Sequence, residues 1–304
     1  MYGYYGEIAA LIAAVCWTVS SMAFEYAGKR VGSISLNIIR LFMALIFISI
    51  FNYFSRGMFF SVDATAYQYF WLSISGLVGF VIGDLFLFKA FIVIGARISM
   101  LVMSLVPPIT AIIGWMVLGE TLSPKQIFAM FVTIFGICIV MIFKNSGIKI
   151  KEQIKDKKLS VALIGLLLAL GGTIGQAAGL VLSKKGMGDY DAFASTQIRI
   201  VAGIIGFAVL ISFMKRWKNV FLAFKNLPAV KGMGLGAFSG PFLGVSMSLI
   251  AVKYTETGIA ATLMAIVPVI IIVPAVLINK EKIRFMEIVG AVIAVVGVGL
   301  FFIL

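Results

Sequence analysis

Two ionisable residues of opposite sign, Asp84 and Lys89, stand inside one apolar run of a chain that has few charges to spare. Charges at membrane depth are costly and usually mark a substrate or ion pathway. Asp84 is the expected coupling residue, a carboxyl able to take up a proton, or a substrate contact. Lys89 is the expected contact for an anionic substrate group, with snorkelling to the interface as its plainer role. Five residues apart, the two lie about 140° apart around a helix, so they need not pair. Arg40 and Arg199 occupy comparable places early in two other apolar runs, with Asn37 and Gln197 beside them. Their functional role would be a gate or anion clamp, since a guanidinium matches planar anions. Snorkelling to the interface is the plainer and favoured role. Trp17, Ser20, Ser21, Gln176, Ser246 and Ser248 complete the expected substrate-binding set. The alternative for each is a polar contact that merely joins neighbouring helices.

Other chemistries lack their residues. The 304 residues include no His, which removes imidazole metal ligands, His general bases and His proton relays. Cys16 and Cys138 both lie inside apolar runs, so neither a disulfide framework nor a zinc site is expected. No metal and no cofactor is expected. The patterns HExxH, G-x-S-x-G and GxxxxGK[ST] are absent, which argues against a metalloprotease, a serine hydrolase and direct ATP coupling. An intramembrane enzyme or a membrane scaffold remains the competing class, and the chain is read as no enzyme.

The elements that must position these residues are membrane helices. Hydrophobic residues make up 62% of the chain and charged ones 12%, far from the composition of a soluble domain. A membrane span needs about 20 mostly apolar residues. Such runs occur at Ile8–Tyr26, Leu36–Phe54, Trp71–Phe91, Ile98–Leu118 and Gln126–Phe143, then at Leu159–Leu182, Phe193–Met214, Met233–Val252, Ile259–Ile278 and Phe285–Leu304. The first run lacks a basic leader and a cleavage site, so it is expected to be a permanent helix. The net charge of +13 resides almost entirely between the runs, where it meets lipid head groups rather than nucleic acid. A lipid bilayer is therefore the expected surround and nucleic acid is not an expected partner. No pattern sets an oligomeric state.

A shift of 161 residues superposes Gly83 on Gly244, Val106-Pro107 on Val267-Pro268, Glu120 on Glu281 and Gly136 on Gly297. Ile39-Arg40 resembles Ile198-Arg199 at a slightly different shift. The expected organisation is a five-helix repeat at 1–144, a charged connector at 145–158 and a second five-helix repeat at 159–304. An odd number of spans per half inverts the second copy, the arrangement typical of secondary transporters. The fold class is thus an all-α integral membrane protein of ten transmembrane helices in two inverted five-helix repeats.

Within that frame Pro107, Pro108 and Pro268 are expected to kink spans four and nine towards a central cavity, because a mid-helix proline frees a carbonyl. Small residues recur every fourth position in span three (Ser75, Gly79, Gly83) and span eight (Gly232, Gly236, Gly240, Gly244, Ser248). They bring helices close, either as static packing or as seams that slide. Glu120 and Glu281 are expected to serve turns, with Ser123 and Gln126 forming a capping box.

The segment VPPITAIIGWMVLGETLSPKQIFAMFVTIFGICIVMI, with its weaker copy VPVIIIVPAVLINKEKIRFMEIVGAVIAVVGVGLFF, resembles the Pro…Gly-Glu…Gly signature of the EamA-type drug/metabolite transporters. The second copy has Lys280-Glu281 in place of Gly119-Glu120. The resemblance implies a basket of helices around a cavity and transport of a small metabolite such as an amino acid, most simply by export. Multidrug or sugar-nucleotide transport is the alternative, and protons are the expected coupling ion. The expected location is the cell (inner) membrane, as a multi-pass protein. Loops one, three, five, seven and nine hold most of the Lys and Arg, which places them in the cytoplasm and both termini outside. Relatives are usually drawn the other way round.

Overall fold

The computed structural model describes residues 4–94, 99, 102–143, 159–270, 272–277 and 283–303. Among these, nine helices are long and apolar enough to cross a membrane, and a shorter apolar helix, Val106–Leu118, completes the ten. We number them α1 (Tyr5–Val31), α2 (Ser33–Arg56), α3 (66–94), α4 (Val106–Leu118), α5 (Pro124–Phe143), α6 (Leu159–Met187), α7 (Ala192–Phe213), α8 (227–254), α9 (257–277) and α10 (Phe285–Ile303). The connector 145–158 and the pair Lys280-Glu281 lie outside the described residues.

Short connections end these helices with local chemistry. Gly57, at φ 72°, closes α2 by donating to the Tyr53 carbonyl, a left-handed cap that suits glycine. Thr65 and Gln68 form a reciprocal capping box at the start of α3. Ser123 and Gln126 do the same for α5, as the sequence predicts. Asp191 caps α7 by accepting from the Ala194 amide at 2.8 Å. Tyr4 donates to the Phe302 carbonyl, so both ends of the described chain meet on one face of the bundle. We call this the terminal face, and the opposite one, which holds the α1–α2 and α7–α8 junctions, the connector face.

The inversion is visible in side-chain packing. α5 and α10 pair so closely that a Cβ at Gly136 would strike Ala294, and one at Gly297 would strike Thr133. The 161-residue shift carries Gly136 to Gly297 and Thr133 to Ala294, so each contact is the image of the other. α2 and α7 pair at the opposite end of the bundle, and between these pairs stand α3 with α6 and α8 with α1. Outward positions such as Ile46, Phe131, Val209 and Val295 stay apolar and exposed, a surface that only lipid can cover.

Two irregularities obey the same shift. Leu77–Gly83 of α3 and Phe238–Gly244 of α8 are single π-helical segments. Extra residues in such a turn bulge the backbone and are common at functional sites. α4 follows a turn at Ser104-Leu105, and α9 is broken at Ala265-Ile266, with Leu105 N–H donating to Val102 at 3.0 Å and Ile266 N–H to Leu263 at 3.4 Å. Pro107 and Pro268 therefore open new helical segments instead of kinking continuous ones. At that place the missing N–H has no intrahelical partner to lose.

Candidate functional site

α3 carries the centre of the site because its π-segment delivers Asp84 to the middle of the bundle. Asp84 is only 7% exposed. Arg40 of α2 forms an ion pair with Asp84 Oδ2, and Gln176 of α6 donates to Oδ1 at 2.7 Å. The same Gln176 amide lies 3.4 Å from the Gly79 carbonyl, inside the π-segment. A buried acid with two partners is neutralised and oriented at once.

Arg199 approaches the same segment from α7. Its backbone fills the space that a side chain at Gly76 would need, and a Cβ at Gly79 would lie 3.4 Å from Nη2. The guanidinium sits over the Phe80 ring at 5.0 Å and within electrostatic reach of Asp84. Arg40 likewise faces an aromatic ring, Phe24, at 5.2 Å. Each arginine stands about two turns into its helix, but in an inverted pair this means opposite halves of the bundle. Both are buried, at 7% and 5% exposure, so neither snorkels. The packing of α2 against α7 turns both inward, a fact that identical apolar flanks conceal.

Two seams frame this cluster. In α3·α6, Ser75 hydroxyl donates to the Gly179 carbonyl at 2.6 Å and meets Ser183 at 2.7 Å. Gly179 and Gly175 lie against Gly79 and Gly83. In α8·α1, Gly236 receives the Phe24 ring, Gly240 receives Ser20 and Gly244 receives Trp17. A shift of 159 residues carries Trp17 to Gln176 and Arg40 to Arg199, so the tryptophan is the repeat image of the glutamine. Trp17 Nε1 is buried with no hydrogen-bond partner among the described residues.

The remaining expected residues are not brought to Asp84. Lys89 is exposed and lies on another face of α3. Ser20, Ser21, Ser246 and Ser248 each return their hydroxyl to a carbonyl of their own helix, at 3.1, 2.9, 2.6 and 2.7 Å. Gln197 does not support Arg199. It bonds Ser49, Ser61 and the Phe59 carbonyl, and so ties the 57–65 loop to α7.

The terminal face carries a second ion pair, at a glutamate that sequence reasoning assigned only to a turn. Glu120 accepts Lys184 Nζ at 2.6 Å and, with its other oxygen, the amide and hydroxyl of Thr257 at 2.9 and 2.6 Å. One carboxylate thus joins the α4–α5 loop to the end of α6 and the start of α9. Beside it Arg56 and Tyr190 bind Asp63 at 2.6 and 2.7 Å. The Tyr190 hydroxyl, and then the Arg56 guanidinium, hold the Asp63 carboxyl below its usual range. In the connector half, by contrast, a largely apolar cleft of about 760 Å³ lies between α1, α8 and α9, lined by Val19, Ala23, Tyr26, Lys231, Leu235 and Pro274. It stops short of the buried charges.

Inverted five-helix halves, broken helices and buried charge at their junction define a multi-pass membrane protein of the kind that includes carriers. The chain matches the EamA-like transporter family over residues 4–142 and 163–303, one segment in each half, and it belongs to that family. It is accordingly a membrane transporter of the drug/metabolite transporter superfamily. No protein of curated function matches it. A crystal structure titled only as that of a protein superposes with a TM-score of 0.74 at 16% identity, covering 99% of this chain and 97% of that one, a likeness of fold.

Proposed function

We propose that this chain is a secondary transporter that exports a small metabolite, an amino acid being the first candidate, by alternating access. The observation that carries this reading is the Arg40–Asp84–Gln176 cluster, built from both halves and buried beside the π-segment of α3. Rocking one half against the other must remake these contacts, so a solute or proton that competes for Asp84 can drive the change. Protons are the proposed coupling ion: protonation of Asp84 removes the charge that holds Arg40. The Glu120–Lys184 ion pair on the terminal face and the cleft in the connector half support one end state of such a cycle. If the basic loops lie in the cytoplasm, the cleft opens inward and loading from the cell interior is possible.

The test is counterflow in proteoliposomes containing purified protein, with labelled proteinogenic amino acids and an imposed pH gradient. Saturable exchange that responds to the gradient is expected. Ohmic conductance, or no exchange of any amino acid, overturns this assignment of mechanism or substrate respectively.

A further inference from the structure

We propose that Arg199 is the anchor for a carboxylate on the transported solute. The proposal rests on the transport reading and names the chemical class of what is carried.

Among the described residues the charges of the buried cluster do not balance. Arg40 and Arg199 bring two positive charges and Asp84 one negative charge. The ion pair neutralises Arg40, so the surplus falls on Arg199. Repeat symmetry shows why. The position equivalent to Asp84 in the second half, 161 residues on, is Val245, which is buried and apolar. The inverted fold thus keeps both arginines and supplies an acid for only one.

A guanidinium has five N–H donors. Among the described residues that of Arg199 makes no hydrogen bond, its Nε is buried without a partner, and its close neighbour is the Phe80 ring. A ring face offsets part of the desolvation of a cation but accepts no hydrogen bond in the plane of the fork. The unfilled demand is for a planar acceptor with one negative charge, which a carboxylate supplies through two parallel bonds. A single carboxylate also brings the cluster to neutrality, whereas a phosphate dianion would overshoot it. A Cβ at Gly79 would stand 3.4 Å from Nη2, so this glycine is what lets the guanidinium lie against α3.

The route to it is suggested by what covers the pair. Ala23 lines the cleft in the connector half, and the next residue, Phe24, packs on Gly236 and Gly240 and faces Arg40. Displacing one ring from two glycines moves no backbone. A solute entering the cleft can therefore reach the Arg40 side of the cluster by turning Phe24 aside.

The experiment is ligand-dependent thermal unfolding of the full chain in nanodiscs. The probes are the proteinogenic amino acids, lactate, acetate and benzoate, each compared with its primary amide, and inorganic phosphate as a separate arm. At least one free carboxylate is expected to raise the melting temperature while its amide does not. In Arg199→Gln the half-saturating concentration of that carboxylate should rise about thirtyfold or more. Arg199→Lys, which keeps the charge and loses the fork, should fall between, and it serves as the folded control if Arg199→Gln is unstable. The proposal is overturned if no carboxylate stabilises the wild type, if stabilisation survives in both variants, or if only phosphate or an amide stabilises. Counterflow of an uncharged or cationic solute by the wild type would leave the transport reading intact and remove the anchor alone.

Discussion

The two repeat-related seams, α3·α6 and α8·α1, share their glycine spacing and differ in what meets the glycines. In the first, both helices contribute small residues, so Gly175 and Gly179 press directly on Gly83 and Gly79, and Ser75 and Ser183 bond across the interface. In the second, the rings of Phe24 and Trp17 fill the grooves at Gly236 and Gly244, while Gly232 and Gly240 meet the small side chains of Ala27 and Ser20. Backbone against backbone moves as one body, because any displacement breaks close packing and hydrogen bonds together. A ring seated on glycine has rotamers to escape into. The cleft opens beside the second seam, while Asp84 and Gln176 belong to the first. The two seams, each shared between the halves, have thus divided the labour, one holding charge and the other providing a movable wall.

The largest expected effect comes from the charge that only the first seam holds. Asp84→Asn removes the carboxylate that pairs with Arg40, and breaking such a buried pair costs about 3–5 kcal/mol. Flux in proteoliposomes should fall about a hundredfold or more, as for a group acting at the reaction centre of a cycle. Val245→Ala, at the equivalent place in the second seam, should leave flux within the same order of magnitude. Equal losses from the two variants would remove the division of labour proposed above, and unchanged proton-driven flux in Asp84→Asn would remove Asp84 from coupling.

Packing provides the next contrast. A Cβ at Gly175 would lie 2.7 Å from the Gly83 Cα, and the backbone there has nowhere to go. Gly175→Ala should therefore destabilise by about 1–3 kcal/mol, read as a lower melting temperature in nanodiscs. At Gly240 the added Cβ would lie 3.0 Å from the Ser20 Cβ, on the helix that meets α8 through its side chains. Gly240→Ala should cost clearly less. The reverse order would mean that the second seam is the rigid one.

Much of this was legible in sequence, for physical reasons that also set its boundary. Apolar length alone marks ten spans, since lipid demands it, and co-registered Pro107 and Pro268 mark the symmetric breaks. The kind of break was not legible: nothing in the pattern of Ser104-Leu105 distinguishes a turn before the proline from a kink at it. Arg40 and Arg199 read as snorkelling residues because flanking apolar residues look the same whether a helix faces lipid or a sister helix. Asp84 and Lys89 invite grouping because they share a span, yet the partner of Asp84 stands 44 residues away on α2. Ser20, Ser21, Ser246 and Ser248 read as substrate contacts, but a helix offers each hydroxyl a carbonyl of its own. The π-segments left one trace, the glycines at every fourth position.

Glu120 ties the first seam to the helix beside the second, because Lys184 ends α6 and Thr257 begins α9, which runs alongside α1. Glu120→Gln can keep an acceptor for Thr257 while losing the charge that holds Lys184. The loss should be about 1–2 kcal/mol, the range for a hydrogen bond to a charged group. If the tie closes the terminal face, cysteine-reactive probes applied there should reach positions introduced near Thr257 faster in this variant. An unchanged rate would leave Glu120 as a cap on α9 and nothing more.

The smallest effect tests why the first seam is stiff. Ser75→Ala deletes two short hydrogen bonds, to the Gly179 carbonyl and to Ser183. Side-chain bonds between membrane helices average about 0.6 kcal/mol, since the separated helices find other partners. Stability should therefore move little, but local protection should not stay unchanged. Hydrogen exchange of the α3 and α6 amides should quicken in Ser75→Ala while that of α1 and α8 stays fixed, because both deleted bonds join α3 to α6. Ser183→Ala in the same background should add less than it does alone, since both serines serve one network. Exchange that quickened in all four helices alike would mean that the seams open together, and that the difference between glycine on glycine and ring on glycine has no mechanical consequence.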